Sequence, residues 1–519
     1  MTADLLEAPT VWELVRRRGE QSRDVPALLD TEGRRVTFGE LADRAERVAA
    51  GLFAQGVGPG SVVTWQLPTR IESVLVALAL ARLGAIQNPI IHLYREREVG
   101  AVLRASTPQF VLVPGVWRDR DFESMAKTLA AELEQRPAVV VVGDDALPEG
   151  DPSTLPAPPA SGDDVRWVYY TSGTTSDPKG VRHTDQTLMA GGLGLAAALD
   201  MQPDDIGSMA FPFSHIAGPD YLFMMLAVGH PALLLEAFVP VDAVEQFKKH
   251  QVTMIGGGTA FYSMFLNEQK KTPEQKPFIP TLRKISGGGA PKPAELFFAV
   301  QREIGVPLCH GYGMTEVPMI AQGSPHDSDD QLAHTEGAPV RGIEMRIVRA
   351  DGSVAANGEE GEVRVRGPIV CKGYTDEAAT AEGWDAEGWF KTGDLGVLRD
   401  DGHVSLTGRL KDVIIRKGEN ISAKELEELL FTHPKVGDVA IVGLPDPERG
   451  ELVCAVVEPP EGASVDDRLT FDEMVEHLSA AGLMKQKIPE QLEVVDKLPR
   501  NETLNKVLKY KLRDRFTPT

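Results

Sequence analysis

The sequence predicts an α/β protein of more than one domain, and three observations support this. The chain has 519 residues, which is more than one hydrophobic core usually holds. Strand and helix signals alternate over residues 36–142 and again over about 185–320, which is typical of mainly parallel sheets covered by helices. From residue 342 to 370 the pattern changes to alternating strands with glycine turns, which indicates a smaller β-rich unit.

The strand signals of the first region are regularly placed. Residues 62–66 are largely apolar and β-branched or aromatic, which predicts a strand, and residues 72–83 have helical apolar spacing. Strand signals return at 85–91, at 110–114 and at 138–142, with helical segments between them. We therefore expect a mainly parallel sheet in this part of the chain.

Two later regions help to divide the chain. Residues 144–163 are rich in Asp, Pro, Ser and Gly, and are interpreted as a surface linker. Strand, helix and strand signals recur over 413–457. The chain from there to its end is roughly 110 residues long, which is enough for a small domain of its own.

The composition is that of an ordinary globular protein, but the charge is strongly negative. Hydrophobic residues make up 42% and charged residues 25% of the chain, and the net charge is −22. This balance argues against nucleic acid as a partner and against a general attraction to anionic membranes. An anionic ligand must therefore be held by local hydrogen-bond donors, together with a metal ion.

Cysteine usage and hydropathy indicate the compartment. Cys309, Cys371 and Cys454 are far apart and form no disulfide framework, which favours a reducing cytosol. The N-terminus lacks the features of a signal peptide. The longest apolar stretch, residues 221–235, is interrupted by Gly229, His230 and Pro231, so we expect a buried core segment and no membrane span.

Residues 169–181, Tyr-Tyr-Thr-Ser-Gly-Thr-Thr-Ser-Asp-Pro-Lys-Gly-Val, are the most informative stretch of the chain. Hydroxyl groups, exposed backbone N–H groups, glycines and a lysine are what a polyphosphate needs. Lys179 precedes Gly180, so the stretch is not a Walker A loop. The alternative interpretation is a flexible polar turn.

Two further motifs follow predicted strands. Residues 282–291 lead into Gly287, Gly288 and Gly289, which would expose backbone to a flat ligand or form an unusual turn. Residues 310–316, His-Gly-Tyr-Gly-Met-Thr-Glu, offer an aromatic ring for stacking and a carboxylate for Mg²⁺. The alternative for the second motif is a capped loop.

Three charged motifs occur later in the chain. Asp394 lies between Gly393 and Leu395 in a glycine-rich segment, where it could accept hydrogen bonds from ribose hydroxyls or form a Gly-Asp turn. Residues 408–412 and the C-terminal segment around Lys506 are also strongly charged. Taken singly, charged runs of this kind are more often solvated surface.

Taken together and in this order, the motifs resemble the adenylate-forming superfamily. This superfamily includes acyl-CoA synthetases, nonribosomal adenylation domains and firefly-type luciferases, and the resemblance covers about residues 35–512. It implies a reaction in two halves. A carboxylate attacks the α-phosphorus of ATP to give an acyl-adenylate and pyrophosphate, and a thiol, usually of CoA, then attacks the acyl carbon and expels AMP.

The resemblance also implies roles for the matched residues. Residues 171–179 would hold the β- and γ-phosphates, and Glu316 would bind Mg²⁺. Lys506 would bridge the substrate carboxylate and the α-phosphate, because a fixed cation offsets the repulsion between two anions. Catalytic roles are predicted for Lys506, Thr315, Glu316 and His215. The predicted cofactor-binding residues are Thr171, Ser172, Gly173, Thr174, Thr175, Lys179, Gly288, Gly289, Ala290, Pro291, Gly311, Tyr312, Gly313, Met314, Thr315, Asp394, Arg409, Lys417 and Gly418.

The fold implied by the resemblance has two domains. Residues 1–410 would form an adenylation domain of two α/β lobes and a β-barrel-like subdomain, and residues 411–519 a small mobile α+β lid. The lid would rotate about the hinge residue Lys411, withdraw Lys506, and bring Lys417 and Gly418 to the thiol tunnel. Ser176 and Asn505 stand where the family usually has glycine.

The acid that is activated is less narrowly defined. The segment Phe-Pro-Phe-Ser-His at 211–215 has no carboxylate before Asp220 to pair with an ammonium, and we expect no carrier domain after Thr519. Both points favour a stand-alone CoA ligase. The predicted pocket is roomy and uncharged, which suits a medium or long fatty acid or a bulky alicyclic acid. The candidates for its lining are Ala217, Gly218, Met224, residues 256–259 and residues 287–289.

Several alternatives stay open from the sequence. An aryl acid is not excluded, and the enzyme could load a carrier protein with the acyl group instead of CoA. A non-catalytic nucleotide-binding paralogue is the alternative from a different class. The expected cofactors are ATP, Mg²⁺ and coenzyme A, and the expected compartment is the cytoplasm. Whether the protein is a homodimer stays open.

Overall fold

A computed structural model describes Leu5 and residues 7–143, 147–171, 178–290, 292–416, 419–446, 450–464, 467–501 and 506–517. In these ranges the α-helices are α1 (Val11–Gln21), α2 (Phe38–Ala54), α3 (Ile71–Leu83), α4 (Glu96–Ser106), α5 (Phe122–Ala131), α6 (Asp185–Ala198), α7 (Ala217–Val228), α8 (Pro240–Lys249), α9 (Thr259–Lys270), α10 (Ala294–Glu303), α11 (Asp329–His334), α12 (Glu377–Gly383), α13 (Ala423–Phe431), α14 (Phe471–Ala480) and α15 (Lys509–Phe516).

The strands are β1 (Pro26–Asp30), β2 (Arg35–Thr37), β3 (Val62–Trp65), β4 (Ile86–Pro89), β5 (Phe110–Val113), β6 (Val116–Trp117), β7 (Arg120–Asp121), β8 (Ala138–Val141), β9 (Val165–Thr171), β10 (Lys179–Thr184), β11 (Gly207–Met209), β12 (Ala232–Leu234), β13 (Met254–Gly258), β14 (Lys284–Gly288), β15 (Leu308–Met314), β16 (Val317–Gln322), β17 (Ala338–Pro339), β18 (Glu344–Val348), β19 (Glu360–Arg366), β20 (Phe390–Leu398), β21 (Val404–Arg409), β22 (Val413–Arg416), β23 (Glu419–Ser422), β24 (Asp438–Asp446), β25 (Gly450–Glu458) and β26 (Gln491–Val494).

The first lobe is built on a six-stranded sheet of order β10-β9-β4-β3-β5-β8. Strands β3, β4, β5, β8 and β9 pair in parallel, and β10 is an antiparallel edge strand. The strands predicted at 62–66, 85–91, 110–114 and 138–142 are β3, β4, β5 and β8, so the prediction of a mainly parallel sheet is confirmed.

The second lobe is built on a nine-stranded sheet of order β17-β16-β15-β14-β13-β11-β12-β1-β2. The six strands from β15 to β1 in this order pair in parallel. Strands β2, β16 and β17 are antiparallel at its edges. Parallel strands need crossover helices, which explains why helical signals separate most strands of the sequence here.

One hydrophobic core contains residues of α1, α2, α3, α6 and α7. Helix α3 is buried at every position and ends at Gly84, whose φ of 69° is in the left-handed region that glycine adopts most readily. The apolar stretch 221–235 forms the end of α7 and the buried strand β12. The prediction of a buried core segment is therefore confirmed.

The predicted β-rich unit is an antiparallel sheet of order β18-β19-β20-β21, an open meander whose apolar core is shared with β15 and β16 of the nine-stranded sheet. The C-terminal unit has a separate sheet of order β23-β22-β25-β24, with β26 added beside β25. Its core contains Leu426, Ile441, Val453 and Met474. The fold class of a large N-terminal α/β domain and a small C-terminal α+β domain is confirmed. In the described ranges, every helix is too short or too polar to cross a bilayer.

The C-terminal core offers a matched test of packing. Met474 is 0% exposed, whereas Met484 in the same unit is 45% exposed. We expect Met474→Ala to lower the free energy of unfolding of this unit by about 2–5 kcal/mol, because it removes buried atoms and leaves a cavity. Met484→Ala should change it by less than about 0.5 kcal/mol. Hydrogen exchange of the amides of β24 and β25 measures both, and equal protection in the two variants would contradict the assignment.

Candidate active site

Three adjacent parallel strands of the second lobe, β13, β14 and β15, end in glycine-rich segments. Gly257 pairs with Gly287, and Gly288 pairs with Gly311. Along β14 the chain changes from buried at Ser286 to half-buried at Gly287 and Gly288, and residue 289 is exposed. The carboxyl ends of these strands therefore open to the surface, which is where open α/β sheets usually bind ligands.

A buried tyrosine, a buried aspartate and a partly exposed arginine are in contact beside this opening. The hydroxyl of Tyr312 donates to Asp394 Oδ2 at 2.7 Å, and Arg409 Nε lies 2.8 Å from Asp394 Oδ1. Burial raises the pKa of Tyr312 well above its usual range, so its hydroxyl stays protonated and donates. The prediction of a Gly-Asp turn as the alternative for Asp394 is wrong, because Asp394 lies inside β20 and pairs with Arg409 of β21.

Glu316 occupies the turn between β15 and β16. Its Oε1 accepts a hydrogen bond from the hydroxyl of Tyr374 at 2.8 Å, and its carbonyl accepts one from the backbone N–H of Cys371 at 2.9 Å. Lys179 Nζ lies 5.8 Å from the centre of the Tyr374 ring, within the range of a cation–π contact. Tyr374 therefore links the predicted phosphate lysine to the predicted metal ligand.

The segment that contains Tyr374 also holds the stem of the predicted phosphate loop. The N–H of Thr375 donates to Gly180 O at 2.8 Å, and Thr375 Oγ1 accepts from the N–H of Gly180 at 3.2 Å. The N–H of Arg182 donates to Gly373 O at 2.9 Å, and that of Lys372 donates to Arg182 O at 2.7 Å. A Cβ atom at position 180 would lie 2.8 Å from Thr375 Cγ2, so glycine is required for this close approach.

His183 lies beneath the turn that carries Thr315 and is fully buried. Its Nε2 lies 2.8 Å from Thr315 O, and its Nδ1 lies 2.9 Å from Thr187 Oγ1. Because a carbonyl can only accept, Nε2 carries a proton and donates it to Thr315 O. Burial lowers the pKa of His183 to about 4, so the ring is neutral near pH 7.

Comparison with known proteins shows which family has this arrangement. The family model described as AMP-binding enzyme matches residues 15–375, and the AMP-binding enzyme C-terminal domain matches residues 425–504. The chain belongs to the AMP-binding enzyme family. This is the adenylate-forming superfamily, so the family prediction and the prediction of an AMP-forming ligase are confirmed.

Relatives in this AMP-binding enzyme family align over nearly the full chain. The medium-chain fatty-acid–CoA ligase of Escherichia coli (strain K12) is 31% identical over 513 residues, with 94% of this chain and 87% of that protein covered. The salicyl-AMP ligase / salicyl-S-ArCP synthetase of Mycobacterium tuberculosis is 32% identical over 477 residues, with 89% and 82% covered. ATP-bound MatB from Rhodopseudomonas palustris has a TM-score of 0.86 at 28% identity, with 97% and 98% covered.

His215 lies just before α7 and is partly exposed. Its Nδ1 accepts a hydrogen bond from the N–H of Ala217 at 3.3 Å, and burial lowers the pKa of His215 to about 4. A Cβ atom at Gly218 would lie 1.9 Å from Phe213 O, so this turn requires glycine. Met224, another candidate for the pocket lining, is buried in the core of the N-terminal domain.

A cluster of alternating charges lies between the segment that follows β14 and helix α13 of the C-terminal domain. Lys292, just after the Gly-Gly-Gly-Ala-Pro segment, is buried and donates to Ala333 O at 2.7 Å. Burial lowers the pKa of Lys292 to about 8, while nearby Glu336 opposes the shift. Lys424 of α13 lies 3.5 Å from Glu336 Oε1 and 3.7 Å from Glu428 Oε1.

The hinge and lid candidates are only partly described. Lys411 lies in a short 3-10 turn over Leu410–Asp412. The backbone N–H of Lys506 donates to Asn501 Oδ1 at 2.9 Å. Other predicted site residues lie outside the described residues, as do both departures from the family pattern. These are Ser172, Gly173, Thr174, Thr175, Ser176, Pro291, Lys417, Gly418 and Asn505.

Sequence reasoning missed three residues that the structure brings to the site. Tyr374 and Thr375 follow a Lys-Gly pair in a segment that gave no motif, and His183 lies in a strand segment, Val-Arg-His-Thr, that matches no motif. A Gly-Tyr-Thr run soon after a predicted strand could have indicated the first two. Nothing near His183 in the sequence indicates its contact with Thr315, which lies 132 residues away.

The buried His183 predicts a pH effect on stability. Its folded pKa of about 4 lies below the ordinary value of 6.5, so the neutral ring stabilises the fold above pH 6.5 and this contribution is lost as the pH falls towards 4. In His183→Gln, the fall of the unfolding free energy with pH in this window should be shallower by up to about 1.4 kcal/mol per pH unit. Urea unfolding at several pH values measures the slope.

The control for this prediction is His326→Gln. The His326 side chain is 72% exposed and is expected to leave the slope unchanged. Identical slopes for the wild-type protein and His183→Gln would contradict a neutral buried ring.

Proposed function

We propose that this protein is an ATP- and Mg²⁺-dependent acyl-CoA synthetase that converts a carboxylic acid to its CoA thioester through an acyl-adenylate, with release of AMP and pyrophosphate. The observation that carries the proposal is that two groups of contacting residues are built around the end of β15 and the turn that follows it. One group is Tyr312, Asp394 and Arg409, and the other is Glu316, Tyr374 and Lys179.

The first group suits the nucleoside part of ATP. Asp394 is a carboxylate paired with Arg409, and ribose hydroxyls are donors that carboxylate oxygens can accept from. Residues 288–291 and Tyr312 would flank the adenine, because exposed glycine backbone and an aromatic ring both allow close approach to a flat base. Gly311, Gly313 and Met314 would line the same turn.

The second group suits the phosphates and a metal ion. Glu316 supplies the carboxylate oxygen that Mg²⁺ prefers, and when bound the ion would offset the phosphate charge. Residues 171–175 and Lys179 would hold the β- and γ-phosphates at the end of the β9–β10 hairpin. Thr315, whose carbonyl lies 2.8 Å from His183 Nε2, would be held in place at the α-phosphate by that contact.

The two half-reactions would be divided between the domains. Residues 1–410 would bind ATP and the acid, and residues 411–519 would form a lid that rotates at Lys411. Lys506 would place its ammonium between the substrate carboxylate and the α-phosphate during adenylation. After rotation, Lys417 and Gly418 would border the path of the CoA thiol.

The acid would enter past His215, which is neutral at pH 7 and would form a gate or wall of the acyl pocket. The Asp220 carboxyl faces α6, where a Cβ atom at Gly191 would lie 2.4 Å from its Oδ1. Burial raises the pKa of Asp220 well above its usual range, so it offers no charge to an ammonium. We therefore favour an acid without an amino group, either a medium or long fatty acid or a bulky alicyclic acid.

The relatives support the reaction and leave one second candidate. The Escherichia coli relative is a fatty-acid–CoA ligase, which supports CoA as the acceptor and a fatty acid as substrate. The Mycobacterium tuberculosis relative is a salicyl-AMP ligase and salicyl-S-ArCP synthetase, which favours carrier-protein loading of an aryl acid as the second candidate. For either reaction, we expect the protein to act in the cytoplasm.

The test is a panel of carboxylic acids with ATP, Mg²⁺ and CoA. We expect AMP and an acyl-CoA thioester to form only when all four components are present. AMP release without any CoA thioester would contradict the proposal, and transfer to a phosphopantetheinyl carrier in preference to CoA would favour the second candidate. A protein without pyrophosphate exchange for any acid would be a nucleotide-binding paralogue.

Lys506→Ala tests the division of labour between the domains. We expect adenylation to fall by at least about 10²–10³-fold, the usual effect of losing one group that stabilises transition-state charge. Thioester formation from supplied acyl-AMP should be largely spared. Pyrophosphate exchange and a single-turnover thioester assay measure the two steps, with the exposed Lys497→Ala as control. Equal losses in both steps would contradict the rotating lid.

A further inference from the structure

Tyr221 of α7 contacts strand β14 at Ser286, two residues before the carboxyl end of that strand. The hydroxyl of Tyr221 donates to Ser286 Oγ of β14 at 3.3 Å. The ring of Phe211 meets the Tyr221 ring edge-on, with centroids 5.0 Å apart. Tyr221 is 8% exposed and Ser286 is 1% exposed, so the contact lies deep in the domain.

Strand β13, which pairs with β14, has a glycine at the position nearest the Tyr221 hydroxyl. Gly256 of β13 is the register partner of Ser286. A Cβ atom at Gly256 would lie 3.3 Å from the Tyr221 hydroxyl and 1.9 Å from Ser286 O. The Tyr221 hydroxyl therefore occupies the space over the Gly256–Ser286 pair.

The next pair on the same face has no side chains. Gly258 pairs with Gly288 two residues further along, and side chains alternate between faces along a strand, so this pair faces the same side as Gly256 and Ser286. At a rise of about 3.3 Å per residue, it lies roughly 7 Å nearer the open end. On this face of β13 and β14, the Tyr221 side chain covers the Gly256–Ser286 pair. The Gly258–Gly288 pair, nearer the carboxyl ends of the strands, has no side chains of its own.

The same helix begins with partly exposed residues, because His215 just before it and Ala217 at its first position are both partly exposed. Loss of hydration lowers the pKa of His215 to about 4 and raises that of Tyr221 to about 12, so both side chains are uncharged near pH 7. The Tyr221 hydroxyl already has Ser286 as its hydrogen-bond partner. An apolar ligand group can therefore lie against Tyr221 without leaving that hydroxyl unsatisfied.

We infer that the Tyr221–Ser286 contact is the floor of the acyl pocket and limits the enzyme to compact acids, such as short to medium straight chains and single alicyclic rings. The inference rests on the proposed function, because it takes the bare glycine face to be the place of the acyl group. It makes Tyr221 a specificity-determining residue. This narrows the range of acids proposed above by removing the long fatty acids, whose tails would meet the Tyr221 ring.

The experiment compares kcat/KM in pyrophosphate exchange for butyrate, hexanoate, octanoate, dodecanoate and cyclohexanecarboxylate. The wild-type enzyme should use octanoate or a more compact acid best and discriminate against dodecanoate. In Tyr221→Ala the ratio of dodecanoate to hexanoate should rise at least about tenfold, the scale on which one or two methylenes are discriminated in an apolar pocket. The KM for ATP should stay within about twofold, because the contacts found for the Tyr221 side chain, with Ser286 and Phe211, involve none of the residues proposed to bind the nucleotide.

Conservative variants test whether a changed preference comes from the size of the side chain at position 221 or from a general loss of packing. Tyr221→Phe keeps the ring and should keep the preference for compact acids, and Tyr221→Leu should give an intermediate ratio and serves if the alanine variant does not fold. Tyr510→Ala, at a tyrosine that is 37% exposed in α15, is the surface control.

The outcomes distinguish this inference from the proposed function. Dodecanoate as the best wild-type substrate, or an unchanged ratio in a folded and active Tyr221→Ala, would overturn the floor and leave the synthetase assignment standing. Absence of exchange with every acid in the wild-type protein would overturn the proposed function itself, and the floor with it.

Discussion

The active-site region depends on one short segment, Cys371 to Thr375, which touches both lobes of the N-terminal domain. It pairs with Gly180 and Arg182 of β10 in the six-stranded sheet, and its N–H at Cys371 and hydroxyl at Tyr374 bind Glu316 at the edge of the nine-stranded sheet. The chain reaches it from β19 of the small antiparallel sheet, which ends at Arg366. The segment therefore hydrogen-bonds to two separate sheets beside Lys179 and the predicted metal ligand Glu316.

In a chain that is strongly acidic overall, the charged side chains of the candidate site are paired with neighbouring groups. The net charge is −22, yet the buried carboxylate of Asp394 is matched by Arg409 and by the hydroxyl of Tyr312. Lys179 and Glu316 meet on opposite parts of Tyr374. An anionic substrate bound here is therefore met by paired and oriented groups, which suits stabilisation of charge by groups already in place.

Periodicity was enough to predict much of the fold, and the order of the motifs was enough to predict the family. The strands β3, β4, β5 and β8 were predicted because their apolar, β-branched residues are local signals. The contact of Thr375 with Gly180 spans 195 residues and that of Tyr374 with Glu316 spans 58, so no local pattern could indicate them. Asp394 shows the same limit, because its flanking glycine suggested a turn, whereas pairing with β21 makes it part of a strand.

The alternating charges of Lys292, Glu336, Lys424 and Glu428 have a thermodynamic consequence. Lys292 follows the segment proposed to flank the adenine, and Lys424 and Glu428 belong to the C-terminal domain. If this domain rotates as proposed, the contact between Lys424 and Glu336 exists in one orientation and is lost in the other. Thermodynamic linkage is reciprocal. If this contact makes nucleotide affinity differ between the two orientations by some factor, bound nucleotide shifts the equilibrium between the orientations by the same factor.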